Sequence, residues 1–140
     1  MNFIPTTISG CFKIEPNVIL DDRCYFMKSL NEKTFKNGIR QNVHFIQQNQ
    51  SFSKKRVLRG LHYQTGNHAQ AKLVCVLSGK VLDIALDIRS ESATFGQHVS
   101  ALLSDKNQRL FLMSKGFAYG FLVISETATF FYKCDNFYNK

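Results

Sequence analysis

No apolar run in this 140-residue chain approaches the roughly 18 residues that a membrane span requires, so no transmembrane segment is expected. The opening stretch, MNFIPTTISGCFKIEPN, has neither a basic leader nor an apolar core. That predicts no signal peptide and a cytoplasmic location. Cys11, Cys24, Cys75 and Cys134 form no CxxC pair, and two of them sit inside strand-like runs, so reduced, packed thiols are expected. GxGxxG, GxxxxGKS and GxSxG are all missing, which removes the dinucleotide, P-loop and nucleophile-elbow readings. Metal-binding β-barrels usually offer two histidines one residue apart, but His62 is followed by Gln64, and His68 lies six residues on in a loop. No metal is therefore expected. Acidic residues are scarce: ten Asp and Glu against eighteen Lys and Arg give a formal net charge of +8, which suits an anionic partner. That partner could be a nucleic acid, a membrane surface or a small phosphorylated ligand, and charge alone does not choose among them, although basic residues scattered rather than striped argue against a nucleic acid. Lys54, Lys55 and Arg56 form the one tight basic run, and a solvated turn accounts for it as well as an RNA contact would.

What remains reads as sheet. The length suits one domain with a real core, and no repeat, linker or helix of standard length is visible. Short extended segments around Phe12 to Ile14 and Asn17 to Leu20 precede a polar stretch, Asn31 to Asn42, that fits one helical turn or a loop. VHFIQQNQSFS, GQHVSALL, RLFLMS, GFLVIS and TATFFYKC follow as strands with turns every eight to twelve residues. Such spacing indicates a β-sandwich or barrel. AKLVCVL and KVLDIALDIR predict a hairpin at Ser78 and Gly79, pairing Val76 with Val81 and Val74 with Asp83. One face would carry Leu73, Cys75, Leu77, Leu82, Ile84, Leu86 and Ile88, too apolar to stay wet, so a second sheet or a dimer partner is expected to cover it. The other would carry Lys72, Val74, Val76, Val81, Asp83, Ala85 and Asp87, with Lys72 diagonal to Asp83. An apolar face with a few charges set into it suits a cavity lining, and a surface ion pair at a sheet edge is the plain alternative.

The densest chemistry lies at Arg59 to Gln64, RGLHYQ. Arg59 and His62 are three apart, so strict alternation would put them on opposite faces; a bulge at Gly60 would let them converge. An imidazole ordinarily titrates near neutrality and serves as base or acid, while a histidine satisfied by one hydrogen bond is the bland reading. Lys72 and Arg59 would stabilise an enolate or a phosphate if they share the cavity. Tyr132 reads equally as a core tyrosine or as a proton donor.

The blocks SFSKKRVLRGLHYQ, AKLVCVLSGKVLDIALDIRSESATFG and GFAYGFLVISETATFFYKC, in that order, resemble the dTDP-4-dehydrorhamnose 3,5-epimerases, a branch of the cupin superfamily. The resemblance runs from about Ile19 to Tyr138. It implies an all-β, cupin-type double-stranded β-helix (jelly roll) spanning residues 1–140, a homodimer exchanging N-terminal strands, and no cofactor. It further implies a dTDP-sugar substrate epimerised at C3, C5 or both in rhamnose or other deoxysugar biosynthesis. A 3,4-ketoisomerase of the same substrates and a nucleotide-sugar-binding cupin without catalysis are the alternatives. By position, His62 matches the base, Lys72 the enolate-stabilising lysine and Tyr132 the acid. Arg59, Gln47 and Asn49 match residues that hold sugar and diphosphate, Arg23 and Phe26 residues of the exchanged strand that reach a nucleotide, Tyr138 an aromatic beside the base or sugar, and Asp83 a carboxylate beside the lysine. Three departures stand out. The family's GFAHG is GFAYG here, placing Tyr119 where a substrate-facing histidine is usual; Cys24 replaces the glycine of DDRG; and the chain ends well short of the usual length, without the region whose aspartate orients the histidine. Either another group such as Asp83 or Asp135 stands in for it, or the protein is a slow, altered or inactive relative.

Overall fold

In the computed structural model, which describes residues 1–139, inward and outward side chains alternate along most strands. In β8 (Lys80–Asp87) each odd-numbered residue from Val81 is buried and each intervening one is not, as a half-buried strand requires. The chain runs through β1 (Asn2–Pro5), β2 (Cys11–Glu15), β3 (Val18–Leu20), β4 (Tyr25–Met27), α1 (Glu32–Ile39), β5 (Gln47–Lys54), β6 (Leu58–His62) and β7 (Lys72–Ser78) before β8. It then forms β9 (His98–Ser104), β10 (Leu110–Met113), β11 (Phe117–Val123) and β12 (Thr127–Cys134). Two antiparallel sheets, ordered β1-β2-β10-β7-β12-β5 and β6-β11-β8-β9, face each other as the jelly roll expected from the sequence, and β3 and β4 pair apart from them. Between the sheets pack Val74, Val76, Phe111 and Phe130 from one side and Val81, Ala85, Leu103, Phe121 and Val123 from the other.

The turn at Ser78 and Gly79 exists, but the hairpin does not. β7 pairs with β10 and β12, whereas β8 pairs with β9 and β11, so this turn carries the chain from one sheet to the other. Val76 and Val81 therefore meet across the interior rather than as ladder partners, and the expected diagonal of Lys72 to Asp83 becomes an approach between sheets. The apolar face divides as well. Leu73 and half-buried Cys75 lie outside the six-stranded sheet beneath α1, packed with Ile14, Phe35, Ile39 and Leu112. Leu82, Ile84 and Leu86 lie on the outer face of the other sheet.

Asn31 to Asn42 hold more helix than one turn. Asn31 caps α1 by accepting a hydrogen bond from Thr34 N at 3.0 Å, Phe35 and Ile39 share its buried face, and Arg40 ends it in the left-handed region at φ 53°. Gly38 lets the helix lie on the Phe3 ring, which an added Cβ would strike. Packing of the thiols holds for Cys11, Cys75 and Cys134; Cys24 is exposed, in a turn organised by Asp21, and all four are free.

A fully buried carboxylate closes one end of the sandwich. Asp87 accepts hydrogen bonds from Arg89 N, Nε and Nη2, from Ser92 Oγ at 2.6 Å and from Thr94 Oγ1 at 2.7 Å. Arg89 also donates to Ser9 O at 2.9 Å and lies 4.6 Å above the Phe117 ring, so one ion pair ties three segments together. These donors hold the Asp87 carboxyl far below the usual carboxylate range. Asp87→Asn, which leaves the guanidinium without its counter-charge, is expected to cost about 3 kcal/mol of unfolding free energy, measured by urea titration. Because the folded carboxyl titrates lower than the unfolded one, the wild-type advantage is complete at neutral pH and shrinks as pH falls below about 3.9.

Candidate active site

Two glycines set the geometry. Gly60 of β6, at φ 126°, lies so close to β11 that a Cβ would sit 2.6 Å from the Gly120 Cα, and a Cβ on Gly120 would sit 2.7 Å from the Arg59 carbonyl oxygen. At this contact the register shifts: Arg59 pairs with Phe121 and His62 with Tyr119, four residues of β6 lying opposite three of β11. The extra residue is a bulge, and it turns Arg59 and His62 to the same side. Both line one cavity of about 360 Å³, within the usual size for a small-molecule site.

Lys72, Asp83, Tyr119, Tyr132 and Tyr138 line the same cavity, and the stacked Phe121 and Phe130 rings, 4.1 Å between centroids, are part of its wall. Arg59 Nε donates to Ser53 Oγ at 3.1 Å, which fixes the guanidinium between the edge strands of the two sheets. Lys72 is 7% exposed, with Nζ 3.7 Å from the Tyr119 ring centroid and 4.7 Å from that of Tyr132. Burial pulls its ammonium down to about 8 against the opposing influence of Cys134 and Asp83. Asp83 is buried with Oδ2 lacking a hydrogen-bond partner among the described residues. Burial raises its carboxyl well above the ordinary value, opposed by the Ile84 amide and the Lys72 charge. Burial likewise raises the phenols of Tyr119 and Tyr132, so both stay protonated near neutrality.

Gln47 and Asn49 stand at the rim on β5. Asn49 faces Tyr132, Gln47 faces Cys134, and Gln47 Nε2 donates to Asn49 Oδ1 at 3.1 Å; neither lines the cavity. Arg23 and Phe26 are further off, on the exposed β3–β4 hairpin, where Arg23 pairs with Asp21 at 2.9 Å. The structure does not bring them to this chain's own cavity. Asp135 accepts from Ala71 N at 2.7 Å and lies 3.3 Å from Lys115 Nζ, and neither it nor Asp83 hydrogen-bonds His62. Sequence reasoning missed Ser51, Tyr63 and Gln64 as lining residues. Ser51 follows from Asn49 by period two, and Gln64 belongs to the RGLHYQ stretch. Gln64 exchanges two hydrogen bonds with the Asn139 backbone, at 2.8 and 2.9 Å, tying the last described residues, and with them Tyr138, to the cavity.

A profile described as dTDP-4-dehydrorhamnose 3,5-epimerase matches residues 5–140. The dTDP-4-dehydrorhamnose 3,5-epimerase of Shigella flexneri is 48% identical over 140 residues, covering 100% of this chain and 77% of that protein. The enzyme of the same name from Methanothermobacter thermautotrophicus is 44% identical over 138 residues, 98% of this chain and 73% of that one. Among solved structures, the Elizabethkingia anophelis epimerase superposes with a TM-score of 0.96 at 51% identity, covering 100% of this chain and 76% of the other. The Legionella pneumophila enzyme, solved in complex with dTDP-4-keto-L-rhamnose, gives 0.95 at 46% identity, covering 99% and 73%. This chain spans about three quarters of the length of these relatives. With the match extending over nearly every residue and through both sheets, the chain belongs to the dTDP-4-dehydrorhamnose 3,5-epimerase family.

Proposed function

We propose that the cavity epimerises a dTDP-linked 4-keto-6-deoxy sugar, the family's reaction in rhamnose biosynthesis, with His62, Lys72 and Tyr132 as its working groups. A ketone at C4 acidifies the hydrogens on C3 and C5. His62 takes one of them, the C–H electron pair moves into the ring, and negative charge collects on the C4 oxygen beside the Lys72 ammonium. Tyr132 then gives its phenolic proton to the carbon from the opposite face, which inverts the centre; His62 loses its proton to solvent and Tyr132 regains one. The observation that carries this reading is the meeting of a histidine, a buried lysine and a half-buried phenol in one cavity. Arg59, with Gln47 and Asn49 at the rim, suits the sugar and diphosphate, Tyr138 suits the nucleotide end, and Asp83 and Tyr119 complete the lining. The Bacillus anthracis relative was solved with TDP and PPi bound, and the Legionella one with a keto sugar nucleotide.

A homodimer goes with this reading. Across the outer face of the four-stranded sheet, Leu58, Leu122, Leu82 and Leu102 fall in one register row, with Leu58 70% and Leu102 45% exposed. Ile19, Leu20 and Phe26 stand exposed on the β3–β4 hairpin, whose Arg23 and Phe26 would serve the partner's cavity. Free thiols fit a reducing, cytoplasmic location.

Incubation with dTDP-4-keto-6-deoxyglucose in D₂O is expected to place deuterium at C3 and C5, and no incorporation at either position would count the reading out. His62→Ala should slow exchange by at least about a hundredfold and leave dTDP affinity within a few fold. Lys72→Ala should lower turnover far more than it lowers the melting temperature. Sedimentation at micromolar concentration should show a dimer, and a clean monomer would remove that part of the proposal.

A further inference from the structure

The ammonium of Lys72 has an unusual set of neighbours. It is buried, no carboxylate oxygen forms an ion pair with it among the described residues, and Asp83 faces it from β8 at longer range. Two aromatic faces lie against it: Tyr119 from β11 of the opposite sheet, 3.7 Å from Nζ to centroid, and Tyr132 from β12 of its own sheet, 4.7 Å. Tyr119 is held between His62 and Ala85 in the strand register, with Ala85 fully buried. Its backbone is thus paired on both sides, which sets where the ring starts from as it reaches the lysine.

From this geometry we infer that Tyr119 is a positioning residue for Lys72: its ring face holds the ammonium at the cavity wall and keeps it charged. The physical basis is the negative quadrupole of the ring, which attracts a cation strongly where water is excluded. The other titratable or charged groups around the site are Asp83 from β8, Cys134 and Tyr132 from β12, Arg59 and His62 from β6, Tyr63 just after β6, and Tyr138 beyond β12. Burial works against the charge, and with the ammonium already brought down to about 8 a small loss of stabilisation would neutralise it in the working range. The catalytic consequence rests on the epimerase reading; the placement does not.

The test separates ring electronics from packing. Tyr119→Phe removes the hydroxyl and keeps the face, and pentafluorophenylalanine at the same position keeps the ring but withdraws its negative face. In protein carrying ¹³C-labelled lysine, with Lys72→Arg to assign the signal, the Lys72 titration midpoint of the Phe variant should stay near wild type. The fluorinated variant should titrate about one pH unit lower. The basic limb of kcat/KM should move by the same amount between those two variants, and KM by much less. A midpoint unmoved by fluorination overturns the inference whether or not the enzyme turns over. A shifted midpoint in a protein that exchanges no deuterium upholds the placement and defeats the epimerase reading instead.

Discussion

Where β6 and β11 touch, at Gly60 and Gly120, there is no room for a side chain on either strand. That constraint produces the site. A larger residue at either glycine would hold the strands apart, the register shift between Tyr119 and Phe121 would lose its cause, and Arg59 and His62 would return to opposite faces. Because Phe121 and Tyr119 are their ladder partners, the same contact aligns the aromatic wall with the two polar groups. The bulge costs β6 regular pairing, and the strand is exposed throughout. It can bear that because it is an edge strand whose Arg59 is tied across to Ser53.

The interior electrostatics follow from how the two sheets fill. At the Asp87 end the buried carboxylate is saturated with donors, which suits a structural ion pair. At the cavity end Lys72 and Asp83 are buried without such satisfaction, and each is pushed toward its neutral form. A fully satisfied pair would hold its charges constant, whereas an incompletely satisfied one leaves a lysine responsive to charge developing beside it. Near neutrality a buried ammonium and two half-buried, protonated phenols are available together. That is the protonation pattern needed to collect negative charge on one oxygen and return a proton to carbon.

Alternation gave the correct inward set on both strands flanking Gly79: Lys72, Val74 and Val76, then Val81, Asp83, Ala85 and Asp87. It could not give their pairing. A short turn between two apolar strands looks the same locally whether it closes a hairpin or crosses between sheets, and the deciding partners, β10, β11 and β12, lie far along the chain. The α1 helix was hidden for a different reason: Phe35 and Ile39 are its only buried residues, and Gly38 weakens its intrinsic propensity, so the stretch reads as polar loop. At the site, Gly60 announced the bulge because glycine between an arginine and a histidine has little other purpose in a strand. The contact of Lys72 with Tyr119 had no local signal, since it joins residues on opposite sheets.

Placement of these residues also divides the work of the cavity. Lys72, Asp83, Tyr119 and Tyr132 stand on β7, β8, β11 and β12, each paired on both sides within its sheet. Their backbones are fixed by two ladders, so the groups assigned to proton transfer and charge stabilisation hold their geometry without the ligand. Gln47, Asn49, Arg59 and His62 stand on β5 and β6, the edge strands at the open side, and Arg23 and Phe26 stand on a hairpin outside both sheets. Strands paired on one side yield more readily, which suits the ligand-holding role proposed for Gln47, Asn49 and Arg59. His62 is the exception, a chemical group on an edge strand. Its position depends on the glycine contact and on the ladder to Tyr119, so Tyr119 bears on both the proposed base, as its strand partner, and the lysine, through its ring.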